Sequence, residues 1–257
     1  MRYHSILALF ACLLLGCKAS IPDAATDGPG KPRYPGDASL ALLYVQKAGG
    51  EMDYICSAML VALDDRRVPQ PGILTAAHCL ADAPADTQGY YASFDDGKSH
   101  LKLGRAWMGD RFAGYDIAFV ELEPAPTAQP ATEHRMPIPL PVTLTPRAVN
   151  AGDDVWTWGN PDNQGRALAV GYVMNPDYRK PPITGTVDGK DVLLDMRGYI
   201  VIDINTAPGS SGGLLLGKDG AIGVFSSDFQ HERGFRTAFV TPVARLEALL
   251  SQPGKPL

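Results

Sequence analysis

Residues Thr206–Gly213 read TAPGSSGG, two adjacent serines held between glycines with a proline ahead of them. Glycine, serine and proline are turn formers, so alone the stretch specifies a tight turn and no chemistry. Short apolar runs follow it at Gly213–Leu216 and Gly220–Phe225, separated by a turn signal, and both read as strands. The turn therefore belongs to a β structure, and what one of its serines does depends on residues far upstream.

The chain has 257 residues, 45% of them hydrophobic and 20% charged, with 27 glycines and 22 prolines. Its apolar runs are short and rich in Val, Ile, Leu and Tyr, which favours strands and turns over long helices. Strands are expected near Leu40–Val45, Ser57–Leu63, Gly72–Leu74, Tyr90–Phe94, Leu101–Trp107 and Ile117–Leu122. A proline-rich connector follows at 123–141, where missing backbone donors interrupt central strands. Beyond it, strands are expected near Val155–Trp158, Leu168–Val173, Asp191–Met196, Tyr199–Ile204, Gly213–Leu216, Gly220–Phe225 and Ala238–Thr241.

This pattern predicts an all-β fold of two six-stranded antiparallel barrels side by side. Barrel 1 covers about 37–122; barrel 2 and a short C-terminal helix cover 142–250. In that helix Thr241 is the expected cap and Pro242 starts the first turn, while Val243, Leu246, Leu249 and Leu250 share one face. Trp156 and Trp158 alternate along a strand and are expected to pack barrel 2.

The first residues read as an export signal. Arg2 precedes an apolar core from Ser5 to Gly16 that is too short to cross a bilayer. It ends LLGC at Leu14–Cys17, which resembles the lipobox of bacterial lipoproteins. The resemblance implies a signal peptide at 1–16 and lipidation of Cys17. Residues 17–36, rich in Pro, Gly, Ala and Asp, then form a disordered tether to a domain at 37–257. Lys18 after the lipid-bearing cysteine implies an outer-membrane destination, facing the periplasm or the cell surface. Cys12 leaves with the signal, so Cys56 and Cys79 remain, and an oxidising compartment predicts a disulfide between them.

Chemistry enters with LTAAHC, Leu74–Cys79. A lone histidine after a strand is ordinarily structural, but a bridge from Cys79 to Cys56 would fix the imidazole of His78 as a general base requires. In YDIAFVEL, Tyr115–Leu122, Asp116 stands where an apolar strand begins. Ser211 completes a set in the order His, Asp, Ser. GSSGG also fits the G-x-S-x-G elbow of α/β-hydrolases, but that fold places its acid and histidine after the serine. His231 follows Ser211 too closely for that, and the elbow leaves LTAAHC unexplained.

With TAAHC, DIA and GSSGG in this order, the chain resembles the trypsin-like serine peptidases of chymotrypsin fold over roughly Asp37–Leu250. WGNPDNQG (Trp158–Gly165) and DINTAPGSSGG lean toward the bacterial HtrA-type branch and its glutamyl-endopeptidase relatives. The resemblance implies a serine endopeptidase with His78, Asp116 and Ser211 as triad, and an oxyanion hole from the N–H groups of Gly209 and Ser211. No peptide-binding domain is expected after residue 250, which argues for a monomer over a quality-control oligomer. Ser210 occupies the position where trypsin zymogens carry an aspartate that pairs with a freed amino terminus, so no proteolytic activation is expected.

The same alignment puts Asn205 at the base of the specificity pocket with Thr206 beside it, and neither offers a charge for Arg or Lys. Ser226 is expected near the Asp116 carboxylate, while Ser227 and Asp228 border the pocket. Phe225 replaces the histidine with which glutamyl endopeptidases bind a carboxylate. Loop-supporting polar contacts are an equally good account of Asn205, Thr206 and Asp228.

His100, His134 and His231 have no partners at metal-ligand spacing, so neither a metal nor another cofactor is expected. The formal charge of −5 argues against a nucleic-acid partner. The expected partners are protein or peptide substrates and, through the lipid, a membrane. The competing reading is a catalytically silent lipoprotein of the same fold that binds a partner through its cleft.

Overall fold

In the computed structural model, residues 34, 36–63, 71–123, 139–144, 148–187, 190–206, 209–230 and 236–257 are described. The expected export signal, Cys17, nearly all of the expected tether, most of the connector, His134 and His231 lie outside them.

Six strands make the first barrel: β1 (Leu40–Lys47), β2 (Met52–Ala62), β3 (Gly72–Thr75), β4 (Thr87–Ser93), β5 (Leu101–Met108) and β6 (Ala118–Leu122). They run β1-β4-β5-β6-β3-β2, and β1 pairs back onto β2 to close the cylinder. A short β7 (Val142–Thr143) adds to β2 in parallel. In β2, Cys56 through Val61 are buried without alternation. Continuous burial marks a strand covered on both faces. Here one face fills the barrel and the other meets the serine loop, where Ser57 N–H donates to the Ser211 carbonyl at 2.9 Å.

The second barrel closes in the order β12-β15-β14-β13-β8-β9. Its strands are β8 (Asp154–Gly159), β9 (Ala167–Asn175), β12 (Ile200–Ile204), β13 (Leu214–Gly217), β14 (Gly220–Gln230) and β15 (Arg236–Pro242). Val155, Val173, Ile202, Leu215, Phe225 and Val240 pack its centre, and Trp156 is buried at its edge.

Two expectations are corrected. The strand expected at Asp191–Met196 belongs to no barrel: β11 (Lys190–Leu194) pairs with β10 (Ile183–Val187) in a separate two-stranded sheet. Two prolines and a glycine disguise β10 in the sequence, although Asp188-Gly189 between the strands is a hairpin signal. Nor does Thr241 cap the C-terminal helix. It stays in β15, and a 3-10 turn at Val243–Arg245 leads into the helix Leu246–Leu250. The Thr241 hydroxyl is engaged elsewhere, donating to the Asp116 carbonyl at 3.1 Å. The apolar face was read correctly, because Val243, Leu246, Leu249 and Leu250 are all buried. A terminal β16 (Lys255–Pro256) pairs with β5.

Candidate active site

β3 delivers the chain through buried Ala76 and Ala77 into α1 (His78–Ala81). The Cys56–Cys79 disulfide, with Cα atoms 6.0 Å apart, ties that turn to β2 as the sequence led us to expect. His78 therefore sits on a short, cross-linked segment.

Asp116 precedes β6 and is almost fully buried. Its carboxylate accepts from His78 Nδ1 at 2.8 Å and from the His78 main-chain N–H at 2.9 Å. The Ser226 hydroxyl from β14 donates to the same Oδ2 atom that meets Nδ1. The peptide is held as well: Asp116 N–H donates to the Tyr199 hydroxyl at 3.3 Å, and Thr241 bonds its carbonyl. Burial pushes the Asp116 carboxyl up. The bond and charge of His78, with bonds from Ser226 and the His78 amide, outweigh it and hold the group below its ordinary value. The anionic form is thus the native one, and an anion facing Nδ1 requires the proton on Nδ1.

On the facing barrel, the serine loop needs glycine. Gly209 and Gly212 have φ of 91° and 83°, and a Cβ on Gly212 would lie 2.1 Å from the Ser57 carbonyl oxygen. Gly212 N–H donates to the Phe225 carbonyl at 2.8 Å, fastening the loop to β14. Ser210 is buried, and its Cα would stand 3.3 Å from a Cβ on Gly159. The Ser211 hydroxyl donates to the Ser226 carbonyl at 3.4 Å, while His78 Nε2 lies 3.8 Å from Cys79 Sγ. No Ser211–His78 hydrogen bond is made among the described residues. Rotation of the serine hydroxyl away from Ser226 is needed to form one.

His78, Asp116, Gly209, Ser211, Ser226 and Ser227 all open onto one cleft of 660 Å³, which Phe225, Leu194 and Met196 also line. Two barrels and the hairpin strand β11 thus meet there. Asn205 and Thr206 are placed elsewhere: they follow β12 directly and line a smaller cavity of 240 Å³ with Ser210 and Thr157. The Asp228 side chain lies outside the described part of the molecule; its backbone pairs with Ala238. Sequence reasoning missed Tyr199 and Thr241, whose hydroxyls hold the Asp116 peptide. Nothing local marks them, since one opened an expected strand and the other looked like a helix cap. Among the described residues, Cys56, His78 and Cys79 form the single cluster of metal-ligand type. Both sulfurs are consumed in the disulfide, so it offers no thiolate.

The trypsin family profile matches residues 30–250. No curated protein matches the chain. Among solved structures, the Rv3671c protease of M. tuberculosis in its active form is similar at TM-score 0.56 and 16% identity, over 88% of this chain and 87% of that one. The HtrA-type protease AlgW with a decapeptide is similar at TM-score 0.56 and 18% identity, over 84% of this chain and 64% of that one. AlgW with a tripeptide gives TM-score 0.52 and 19% identity, over 84% of this chain and 61% of that one.

Proposed function

The chain belongs to the trypsin family of serine proteases, and from that premise we propose that it is an endopeptidase in which Ser211, His78 and Asp116 carry the reaction. One observation carries this reading: a buried carboxylate bonded to His78 Nδ1 at 2.8 Å shares a cleft with Ser211.

Ser211 Oγ turns from the Ser226 carbonyl and attacks the scissile carbonyl carbon. Its proton passes to His78 Nε2, which later hands it to the leaving amine. Asp116 fixes the productive tautomer through Nδ1–H and stabilises the imidazolium. The N–H groups of Gly209 and Ser211 take up the charge on the tetrahedral oxygen; one such donor is typically worth about 2.7–4 kcal/mol. The acyl group then rests on Ser211 Oγ until water, deprotonated by the same histidine, releases it.

The substrates are exported or extracellular proteins or peptides. Signal residues 1–16 direct export, and a lipid on Cys17 anchors the domain through its tether, at the outer membrane by the logic of Lys18. The domain acts as a monomer and needs no zymogen cleavage, because Ser210 supplies no carboxylate for a new amino terminus. Incubation with a peptide library tests the activity: internal cleavage by wild type that Ser211→Ala abolishes is expected, and equal cleavage by both proteins would refute the assignment. Mass analysis of Cys17→Ala tests the anchor, which predicts loss of a diacylglyceryl-type mass increment and release from membranes.

A further inference from the structure

The serine loop is gripped from the opposite barrel by two hydroxyls. Tyr54 OH donates to the Gly209 carbonyl at 2.6 Å, and Ser57 Oγ donates to the same oxygen at 2.7 Å. Ser57 grips a second time through its main-chain N–H on the Ser211 carbonyl at 2.9 Å. Both residues come from β2, and neither belongs to the triad.

The grip is itself braced. Ser57 Oγ accepts from Asn160 N–H at 3.0 Å, and the Ser57 carbonyl accepts from Thr75 Oγ1 at 3.0 Å. The Asn160 side chain accepts from Gly165 N–H at 2.7 Å and donates to Asn163 at 2.9 Å, which stiffens the following turn. A Cβ on Gly209 would fall 2.6 Å from the Asn160 carbonyl oxygen, so the loop and this turn are in close contact. With φ at 91°, Gly209 has a backbone freedom that other residues lack. A peptide that free needs an external constraint to hold one orientation.

We propose that Tyr54 and Ser57 are positioning residues which lock the Gly209–Ser210 peptide and thereby pre-orient the flanking N–H groups of Gly209 and Ser211 for the oxyanion. This rests on the peptidase reading above. The physical reason is that the locked peptide lies between the two proposed donors. Its carbonyl and the Ser211 carbonyl are both tied to β2, so the peptide that carries the Ser211 N–H lies between two tethered ones. That peptide's own carbonyl, of Ser210, accepts from Gly213 N–H at 3.1 Å, and the Gly209 Cα that carries the other donor is anchored through its carbonyl. Pre-orientation matters because a donor already aimed at the developing charge costs no reorganisation during the reaction. The device also makes the hole dependent on the first barrel, without a buried carboxylate at position 210.

The test compares wild type with Tyr54→Phe, Ser57→Ala and the double variant. Tyr54→Phe keeps the ring that meets Tyr44 edge-on, so folding is preserved and thermal melting checks it. Expected is a fall in kcat of roughly ten-fold for each hydroxyl, the size of one lost hydrogen bond, with KM unchanged. Affinity for a peptide boronate should fall in step, while affinity for a non-cleavable peptide should not. Amide exchange across residues 209–213 should rise in the variants, a readout that needs no turnover. If wild type does not react with a fluorophosphonate, the peptidase reading fails, and the exchange comparison still decides the brace. Wild-type kcat, boronate affinity and exchange in the double variant would overturn the proposal.

Discussion

Asp116 holds His78 at two points, its carboxylate accepting from Nδ1 at 2.8 Å and from the main-chain N–H at 2.9 Å. A single contact would orient the ring; the second also fixes the backbone from which it hangs. With Ser226 donating to the same carboxylate, the pair has one geometry and one tautomer.

Asp116→Asn should therefore preserve the fold and lose activity. An amide facing Nδ1 can donate as well as accept, so the wrong tautomer becomes available. A fall in kcat/KM of about ten-thousand-fold at neutral pH is expected, the size found when a triad aspartate is so changed. Steady-state kinetics on a cleaved peptide measure it, and a loss below ten-fold would mean that His78 does not depend on Asp116.

Tyr54 gives a prediction at alkaline pH. Burial pushes its phenol up to about 12 from an ordinary value of 10.0. A group whose native pKa is raised contributes stability that is present below its unfolded pKa and lost as pH rises through the native one. Wild type should thus lose urea resistance between about pH 10 and 12 more steeply than Tyr54→Phe, which keeps the other tyrosines. Parallel losses in the two proteins would contradict the buried, bonded phenol.

The disulfide spans 23 residues between β2 and α1. Closing a loop of that length restricts the unfolded chain by about 3 kcal/mol in the entropic account. A Cys56→Ala, Cys79→Ala double variant should unfold at lower urea by a corresponding amount. It should also lose turnover, because the turn bearing His78 is released. Full activity in a destabilised variant would separate the staple from the chemistry.

Activation by trimming is not expected. Ser210 is buried against Gly159 and carries no charge for an incoming amino terminus. Protein intact upstream of Asp37 should match protein cut there in kcat/KM within experimental scatter. An inert intact form that awakens on cutting would overturn this.

Much of this was legible in the sequence because the decisive features are local. The twelve barrel strands announce themselves by short apolar runs between turn residues. TAAHC, DIA and GSSGG are each contiguous, and the resemblance lies in their occurring together in this order. What stayed hidden is long-range. Tyr199 meets Asp116 across 83 positions, and Ser57 meets Gly209 across 152. A tyrosine or a serine at the start of a strand looks the same whether or not such a contact forms. The strand Ile183–Val187 was obscured by neighbouring prolines and an internal glycine, which break strands wherever a partner does not compensate. Asn205, expected at the base of the specificity pocket with Thr206 beside it, lines with Thr206 and Ser210 a cavity separate from the cleft; chain spacing does not reveal on which side of a turn a residue emerges.

The central claim is that Ser211 is an activated nucleophile. Labelling of the folded, full-length protein with a fluorophosphonate, followed by mass mapping of the modified peptide, tests it most directly. The account predicts one stoichiometric adduct on Ser211, absent in Ser211→Ala and greatly slowed in His78→Ala. Correctly folded wild type that stays unlabelled, or carries the adduct on another residue, would contradict it.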